Sequence, residues 1–318
     1  MQALVFDGAL ELREIESPAV PADEALIRPR LVGICGTDIQ LMHGYSGFTQ
    51  RGQGIFGHEF VGTVVACADE QWIGQRVVGE INAACRCCPT CLRGDHPHCP
   101  HRTTLGINQR PGALAEGFTL PIANLHAVPD TIPDEAAVFT EPLAAALELV
   151  DQIHVRPTDR VVVVGDGKLG LLVAQVLRLT GCTLQLVGRH PERWPLLARQ
   201  RIPATTQASD LAERAWDIAV DCTGSPAGFA TAQALVRPRG RLVLKSTFHG
   251  LVPLDFAPLV VDEIQVIGSR CGPFDAALRL LERGLVETEP LISASFPLTE
   301  AEAAFAAVPG ALKILVRV

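Results

Sequence analysis

The stretch Asp159–Trp194 decides the fold of this chain: DRVVVVGDGKLGLLVAQVLRLTGCTLQLVGRHPERW. It opens with the β-branched run Val161–Val164, which is typical of a strand buried on both faces of a parallel sheet. A glycine turn follows, and the apolar residues of Leu171–Leu179 then indicate a helix. Leu184–Val187 is a second short apolar run. The stretch therefore predicts a strand, a glycine turn, a helix and a second strand.

The glycine turn has the spacing Gly165-x-Gly167-x-x-Gly170. Such glycines allow a tight bend, let the backbone approach a pyrophosphate and let the helix pack closely on the strand. Backbone N–H groups at the start of the helix would hold the anion. The strands on either side make the motif specific. We therefore predict an α/β fold with a doubly wound parallel Rossmann sheet that binds a dinucleotide.

The end of the second predicted strand indicates which dinucleotide binds. NAD sites usually carry an acidic residue there for the ribose 2′-OH, whereas this chain has Gly188, Arg189 and His190. An arginine can pair with a 2′-phosphate in a fork, so the sequence favours NADP over NAD. Alternatively, Arg189 stacks on adenine, which would suit either cofactor. Asp166 is unusual inside the turn because its carboxylate would repel a pyrophosphate, a repulsion that Lys168 would offset.

Later segments continue the alternation. Strands are predicted in Asp217–Ser225, Gly240–Ser246 and Ile264–Arg270, and a helix in Ala276–Gly284, where an apolar stripe ends at a glycine. The candidate cofactor-binding residues lie in the glycine turn, after the second strand and near the ends of the later strands: Gly165, Gly167, Lys168, Leu169, Gly170, Gly188, Arg189, Thr223, Ser269 and Arg270.

A second informative pattern, Cys-x2-Cys-x2-Cys-x7-Cys, is formed by Cys85, Cys88, Cys91 and Cys99. Four thiolates can converge on one tetrahedral Zn²⁺ at Zn–S distances of about 2.3 Å. The alternative is a metal-free or disulfide-bonded loop, but the regular short spacings favour zinc. A closed site of four thiolates leaves no position for a substrate. We therefore predict a structural zinc in this loop.

The whole chain has 318 residues, enough for two domains of ordinary size. No apolar run reaches the ~18–20 residues that a membrane-spanning helix needs, and the N-terminus lacks the basic start and apolar core of a signal peptide. A net charge of −8 without a basic run argues against nucleic acid or an anionic membrane as a partner. We therefore expect a cytoplasmic protein, whose thiols stay reduced.

Other residues that can bind zinc lie outside the cysteine loop. Cys35, His58 and Glu59 are of the types that hold a catalytic zinc with one exchangeable position. Cys35 lies far from the other two, so only the fold could bring them together. Glu141 precedes Pro142, and taken alone it is explained as an acid that favours the dipole of the helix that follows.

Together, these features resemble the zinc-dependent medium-chain dehydrogenase/reductase superfamily, the relatives of alcohol, sorbitol and threonine dehydrogenases. The resemblance covers nearly the whole chain. It is carried, in order, by Cys35-Gly-Thr-Asp38, Gly57-His-Glu59, the four-cysteine loop, Gly112–Glu116, Glu141-Pro-Leu143, the nucleotide turn and Leu312-Lys-Ile314.

The resemblance implies a GroES-like, β-rich catalytic domain in residues 1–145, with a structural zinc lobe in 85–99. It also implies a Rossmann nucleotide-binding domain in residues 146–271 and a return to the catalytic domain in 272–318. Relatives are dimers or tetramers joined by edge strands of the nucleotide domain, so a homo-oligomer is expected.

Site roles follow from the same resemblance. Cys35 and His58 would bind the catalytic zinc, and Glu59 and Glu141 would compete for a remaining position, which replaces the plainer explanation of Glu141. Thr37 would hydrogen-bond the alcohol oxygen and relay its proton. Asp38 would orient the imidazole of His58. The implied reaction transfers a hydride between NAD(P) and a small alcohol or polyol, or its carbonyl, with two zinc ions per chain.

Some positions depart from the family pattern. Gln40 stands where many relatives carry the outer histidine of the proton relay, and His43 is a nearby histidine that could replace it or simply be solvated. Cys87 is an extra thiol that the register excludes from the zinc ligands. The substrate pocket is expected to be lined by Thr37, Tyr45, Phe48, Phe56, His58 and Cys271. The alternative functions are a non-catalytic nucleotide- or zinc-binding protein and a zinc-free reductase on the same scaffold.

Overall fold

The computed structural model describes residues 1–44, 54–247 and 256–318, which form two compact units. The first unit comprises Met1–Glu141 and Phe274–Val318, and the second comprises Pro142–Pro273. The chain therefore builds most of the first unit, then the second, and returns to the first for its last residues.

Strands make up most of the regular structure of the first unit and alternate with helices in the second. The strands are β1 (Gln2–Phe6), β2 (Leu10–Glu14), β3 (Glu24–Ile34), β4 (Gly54–Ile55), β5 (Glu59–Cys67), β6 (Arg76–Gly79), β7 (Asn82–Ala83), β8 (Thr103–Leu105), β9 (Gln109–Arg110), β10 (Phe118–Pro121), β11 (Leu125–Ala127), β12 (Arg160–Val164), β13 (Thr183–Val187), β14 (Ala204–Thr205), β15 (Trp216–Asp221), β16 (Val236–Leu244), β17 (Gln265–Gly268), β18 (Ile292–Pro297) and β19 (Lys313–Arg317). The α-helices are α1 (Gly36–Met42), α2 (Pro89–Leu92), α3 (Asp134–Ala137), α4 (Thr140–Gln152), α5 (Lys168–Arg178), α6 (Pro195–Arg199), α7 (Pro226–Leu235), α8 (Ala257–Val261), α9 (Phe274–Glu282) and α10 (Ala301–Ala306).

The second unit contains a parallel sheet with the strand order β14-β13-β12-β15-β16-β17. Strand β12 is buried on both faces and lies between β13 and β15, with Val161 opposite Leu184 and Ile218. From β12 the chain first moves outwards to β13 and β14, and then crosses back to β15. The strand order therefore reverses beside β12, and ligands of such sheets bind beyond the carboxyl ends of the strands at this point.

The observed elements differ from the predicted ones mainly at their ends. Helix α5 begins at Lys168 rather than Leu171, because Gly167 has an extended backbone and serves as the N-cap directly after the turn. The strand predicted in Gly240–Ser246 is the second half of the longer β16. Helix α7 was not anticipated, although Pro226 at its start and the side chain of Ser225, which accepts a hydrogen bond from the N–H of Gly228, are ordinary start signals.

The first unit is organised around β3, its longest strand. The sheet has the order β11-β6-β5-β3-β19-β18, and β10 also pairs with β3. Strand β3 is antiparallel to both β5 and β19, so that Gly33 lies opposite Glu59 and also opposite Leu315. Antiparallel pairing brings the end of one strand to the start of its neighbour. The residues that follow β3 therefore lie next to those that begin β5.

Aromatic and aliphatic side chains fill the core of the first unit. Phe60 and Phe118 meet edge to face, with ring centroids 4.8 Å apart, and Phe56 lies between Phe6 and Phe305 at 5.2 and 6.4 Å. All five rings belong to one buried cluster. In the described parts of the chain, none of the helices has the length and apolar composition of a membrane-spanning segment.

Candidate metal and cofactor sites

Cys35, His58 and Glu59 come together where β3 ends and β5 begins. Cys35 is the N-cap of α1 directly after β3, His58 precedes β5, and Glu59 is its first residue. One ligand atom from each lies within 4.8 Å of the others, and His58 and Glu59 are 3% and 1% exposed. A thiolate, an imidazole and a carboxylate form a donor set that suits zinc.

Asp38 supports this group from the first turn of α1. Its carboxylate is fully buried and accepts a hydrogen bond of 2.8 Å from the N–H of Cys35, while its other oxygen lies 3.2 Å from Nδ1 of His58. Burial acts to lower the pKa of His58, but Asp38, followed by Cys35, outweighs it, and the pKa stands well above its usual value. The Asp38 carboxylate therefore fixes the imidazole and favours a proton on it when no metal is bound.

Lys313 lies against the same group. Its ammonium forms an ion pair with Oε2 of Glu59, and both side chains are 1% exposed. The ammonium also lies 5.7 Å from the ring centroid of Phe139. Lys313 belongs to the motif Leu312-Lys-Ile314, but its pairing with Glu59 is not predictable from that motif, since the two residues stand 254 positions apart in the chain.

Thr37 lies beside Cys35, whereas Glu141 does not belong to the clustered group. The hydroxyl of Thr37 is 3.7 Å from Sγ of Cys35, within the same first turn. Glu141 occupies the first turn of α4, as its position before Pro142 indicates, and is not one of the three clustered ligands. The structure thus brings Cys35, His58 and Glu59 together and leaves Glu141 outside their group.

The four cysteines of the loop form a second cluster. Their sulfur atoms are separated by 3.5 Å for Cys88–Cys91 and Cys85–Cys99, and by 3.9 Å for Cys85–Cys91 and Cys88–Cys99. A tetrahedron with Zn–S bonds of about 2.3 Å has S···S edges of about 3.8 Å. All four are free thiols, so the loop has the geometry of a zinc site and not of disulfides.

The thiols of the loop differ in pKa because their surroundings differ. Backbone N–H groups of Cys87 and Cys88 hydrogen-bond to Cys85 and lower the pKa of its thiol to about 6. Burial raises the pKa of Cys91 to about 12, which a metal would have to overcome. Cys87 is exposed and outside the cluster, and the hydrogen bond to Cys85 raises the pKa of its thiol.

The glycine turn of the second unit has the form that a dinucleotide site requires. Gly165 has a φ of +112°, and a Cβ at Gly170 would collide with the carbonyl oxygen of Gly165. The turn opens onto a cavity of about 410 Å³. Of the predicted cofactor-binding residues, this cavity is lined by Gly165, Gly167, Gly188, Arg189 and Thr223.

The other predicted cofactor residues lie elsewhere in the second unit. Lys168, Leu169 and Gly170 form the first turn of α5. Ser269 and Arg270 follow β17, where the hydroxyl of Ser269 accepts a hydrogen bond of 2.9 Å from Lys245. None of these five residues is among those that line the cavity.

The cavity wall also contains residues that the sequence patterns do not predict. His190, Arg193 and Thr206 also line it. Arg193 lies in the short 3-10 helix Pro191–Arg193 after β13, and Thr206 directly follows β14. The signal for Arg193 was present, since it stands only four residues after Arg189, but no local pattern aims its side chain at the turn.

Comparison with known proteins identifies the family. Residues 21–130 match the alcohol dehydrogenase GroES-like domain, and residues 169–283 match the zinc-binding dehydrogenase domain. The erythritol/L-threitol dehydrogenase of Mycolicibacterium smegmatis is 32% identical over 94% of this chain and 92% of its own length. The sorbitol dehydrogenase of Halalkalibacterium halodurans is 27% identical over 97% and 95%.

The structural comparison agrees. A zinc-binding dehydrogenase from Sinorhizobium meliloti, solved with NADP bound, is similar with a TM-score of 0.88 and 27% identity, over 100% of this chain and 99% of that one. The predicted α/β fold, with a GroES-like domain and a Rossmann sheet, is thereby confirmed. The chain belongs to the zinc-dependent medium-chain dehydrogenase/reductase family, among the relatives of alcohol and polyol dehydrogenases.

Proposed function

We propose that this chain is a zinc-dependent dehydrogenase that oxidises a small polyol or secondary alcohol, or reduces the matching carbonyl, with NADP preferred over NAD. The observation that carries the proposal is the buried group of Cys35, His58 and Glu59, whose ligand atoms lie within 4.8 Å of one another. No observation favours the non-catalytic alternative.

The proposed catalytic centre uses the side chains around this group. When bound, zinc would polarise the substrate oxygen as a Lewis acid, and the nicotinamide would exchange a hydride with the substrate carbon. Cys35 and His58 would hold the metal, with Nδ1 of His58 facing Asp38 so that Nε2 remains for coordination. Thr37, half-buried beside Cys35, would take the proton of the substrate hydroxyl through its own hydroxyl group.

Beyond Thr37, the proton needs a further acceptor. A glutamine cannot change its protonation state, so Gln40 would pass no proton itself. We propose that the proton leaves Thr37 through water or the cofactor ribose. His43 is exposed and ends α1 as its C-cap, which suits a solvated histidine.

The remaining zinc position belongs either to Glu59 or to Glu141. Glu59 lies within the group, but its carboxylate is paired with Lys313. Glu141 lies outside the group in this structure, in the first turn of α4. We propose that Glu59 passes between the ammonium and the metal, with Glu141 as the second candidate ligand.

The cysteine loop would hold the second zinc ion. The S···S separations of 3.5–3.9 Å and the free thiols support a closed site with a structural role. We therefore propose two zinc ions per chain, one for each group of candidate ligands.

The polyol class of substrate is supported by the relatives, two of which are named for erythritol/L-threitol and sorbitol. Of the expected pocket residues, Tyr45 and Phe48 lie outside the described residues. Phe56 packs in the core of the first unit at 2% exposure, so it offers little surface to a substrate. Cys271 is half-buried in the second unit and has a φ of +47°.

Three broader expectations remain proposals. We propose that residues 1–145 and 272–318 form the catalytic domain and residues 146–271 the nucleotide domain. We propose a homo-oligomer, either a dimer or a tetramer, because members of the family form such oligomers. The cytoplasm is proposed as the location because four free thiols poised for zinc need reducing conditions.

The test combines metal content with turnover. Purified protein should contain about two zinc atoms per chain, and it should reduce NADP with erythritol, sorbitol or secondary alcohols. Cys35→Ser should remove one zinc and the activity. Cys67→Ser is the matched control, because Cys67 is also a half-buried thiol of the first unit but belongs to neither cluster. Full zinc content without reduction of either cofactor by any alcohol would contradict the proposal.

A further inference from the structure

The carboxylate of Asp166, the second residue of the glycine turn, is bound to the loop that follows β13. Its Oδ2 accepts hydrogen bonds from the N–H of Arg189 at 2.9 Å, the N–H of His190 at 2.6 Å and the indole Nε1 of Trp194 at 3.1 Å. Its Oδ1 lies 2.9 Å from Nδ1 of His190. One side chain therefore ties residues 189–194 to the turn.

These contacts occupy the carboxylate fully. Asp166 is 4% exposed, and three N–H donors already converge on one of its oxygens. Burial acts to raise the pKa of Asp166, but the hydrogen bonds from His190 and Trp194 outweigh it and lower the pKa. The group is thus a buried, saturated anion and is poorly placed to accept hydrogen bonds from ribose hydroxyls.

Asp166 also explains the glycine at position 188. A Cβ on Gly188 would collide with the carboxylate of Asp166. Position 188 closely follows the second strand, where an NAD site usually carries its ribose-binding acid. While Asp166 fills this space, no larger residue fits, so the acid that recognises NAD is excluded from position 188.

The loop that Asp166 holds contributes two arginines and a histidine to the cavity. The cavity is lined by Arg189, His190 and Arg193, and Thr206 adds a hydroxyl. Among the described lining residues, Asp166 is the only acid. Guanidinium groups bind phosphate through paired, charge-assisted hydrogen bonds. A wall with two arginines suits the 2′-phosphate of NADP better than the free hydroxyl of NAD.

We propose that Asp166 is the positioning residue for 2′-phosphate recognition, and that Arg193 is a second guanidinium of that site beside Arg189. Asp166 acts through the loop and touches no phosphate. The inference rests on the proposed dinucleotide site and adds to it the group that fixes its selectivity.

Asp166→Asn tests the proposal because a direct charge effect and a positioning role predict opposite changes in phosphate affinity. If the charge acted directly on the ligand, removing an anion near a phosphate would tighten binding. If Asp166 positions the loop, the amide accepts hydrogen bonds from its three N–H donors more weakly than the carboxylate does. The arginines then lose their placement, and binding weakens. Glu192→Gln is the matched control, since it removes a charge from the same loop at an exposed residue with no contact to Asp166 among those described.

The measurement is calorimetric binding of adenosine 2′,5′-bisphosphate and of 5′-AMP, which differ only in the 2′-phosphate. Asp166→Asn should weaken bisphosphate binding by about tenfold or more, the scale of a lost charge-assisted contact, and change 5′-AMP binding by less than about threefold. Arg193→Gln should give the same pattern, and Glu192→Gln should leave both affinities near those of the wild type.

Other results would overturn the proposal. Tighter bisphosphate binding by Asp166→Asn would indicate a direct charge effect, and equal losses for both ligands would indicate a general structural role. Selective loss of 5′-AMP would mean that Asp166 serves an NAD-type site. If Asp166→Asn does not fold, Trp194→Phe, which removes one donor to Oδ2, should give a smaller loss in the same direction. Wild-type protein that binds neither nucleotide would instead refute the dinucleotide site itself.

Discussion

Replacing Lys313 with methionine is expected to make the stability of the first unit depend strongly on zinc. Methionine keeps an unbranched apolar stem but removes the ammonium that pairs with Glu59, in a place where both side chains are 1% exposed. Removing one partner of a buried ion pair costs about 3–5 kcal/mol, because the other charge is left uncompensated. In chelator-treated protein, that loss corresponds to a decrease of about 6–20 °C in Tm for a domain of this size.

Zinc should offset much of this loss. Glu59 shares its group with Cys35 and His58, so a bound metal supplies the positive charge that Lys313 no longer provides. Ligands that bind only the folded state add stability by mass action, and we expect saturating zinc to restore at least about half of the lost Tm. The assay is thermal unfolding of wild type and Lys313→Met, each with chelator and with zinc.

Two further variants make this experiment specific. Lys245→Met removes another buried lysine, whose ammonium donates to the carbonyl of Ala145 and the hydroxyl of Ser269. Its loss of stability should be the same with and without zinc. Lys313→Met combined with Glu59→Gln removes both charges and should be more stable than Lys313→Met alone. An equal loss for Lys313→Met in chelator and in zinc would refute the exchange of Glu59 between ammonium and metal.

Three other predictions concern the metal sites. The zinc affinity of the Cys35 group should rise with pH until the pH exceeds the raised pKa of His58, because the metal competes with a proton on the imidazole. Asp38→Asn removes the main cause of the raised pKa, so in zinc titrations this pH dependence should move to lower pH. Cys99→Ala should lower the zinc content from about two ions to about one per chain while Cys87→Ala leaves it unchanged, and equal losses would contradict the four-cysteine site. Thr37→Val should lower kcat by about 10²–10⁴-fold with zinc content intact, and a kcat close to that of the wild type would exclude Thr37 from the proton relay.

The nucleotide half of the fold could be predicted because its signals are local. The run Val161–Val164, the three glycines and the second apolar run lie within thirty residues or so of one another, and each has one dominant physical explanation. The structure placed the first two strands where they were expected and moved the start of α5 to Lys168. Element ends depend on caps such as Gly167, whose backbone conformation the sequence does not state.

The two candidate metal sites were predicted by different routes. The four-cysteine loop has its own short spacing, whereas Cys35 and Glu59 acquired a role only through the resemblance to a family. The pairing of β3 with β5, with Gly33 opposite Glu59, is what brings them together. The contact between Lys313 and Glu59 was not predicted, because Lys313 lies on β19, which pairs with β3 on the side opposite β5.

Asp166 shows why a residue type alone can mislead. By sequence its carboxylate was expected to repel a pyrophosphate, with Lys168 offsetting the charge. In the structure it is directed to backbone N–H groups of Arg189 and His190 and to the indole of Trp194. Backbone donors are present at nearly every residue, so sequence letters do not reveal where several of them converge.

Glu59 and Asp166 share a physical arrangement that bears on how ligands enter both sites. Each is a carboxylate less than 5% exposed and stabilised by the protein itself, by an ammonium in one case and by three N–H donors and an imidazole nitrogen in the other. The two differ in what a ligand must displace. The Lys313 ammonium is a positive partner that a divalent cation can replace, so we expect Glu59 to exchange between the two. The donors around Asp166 belong to one loop and cannot leave separately, so this carboxylate is fixed. Zinc should therefore rearrange the contacts of Glu59, whereas a dinucleotide should bind without moving Asp166.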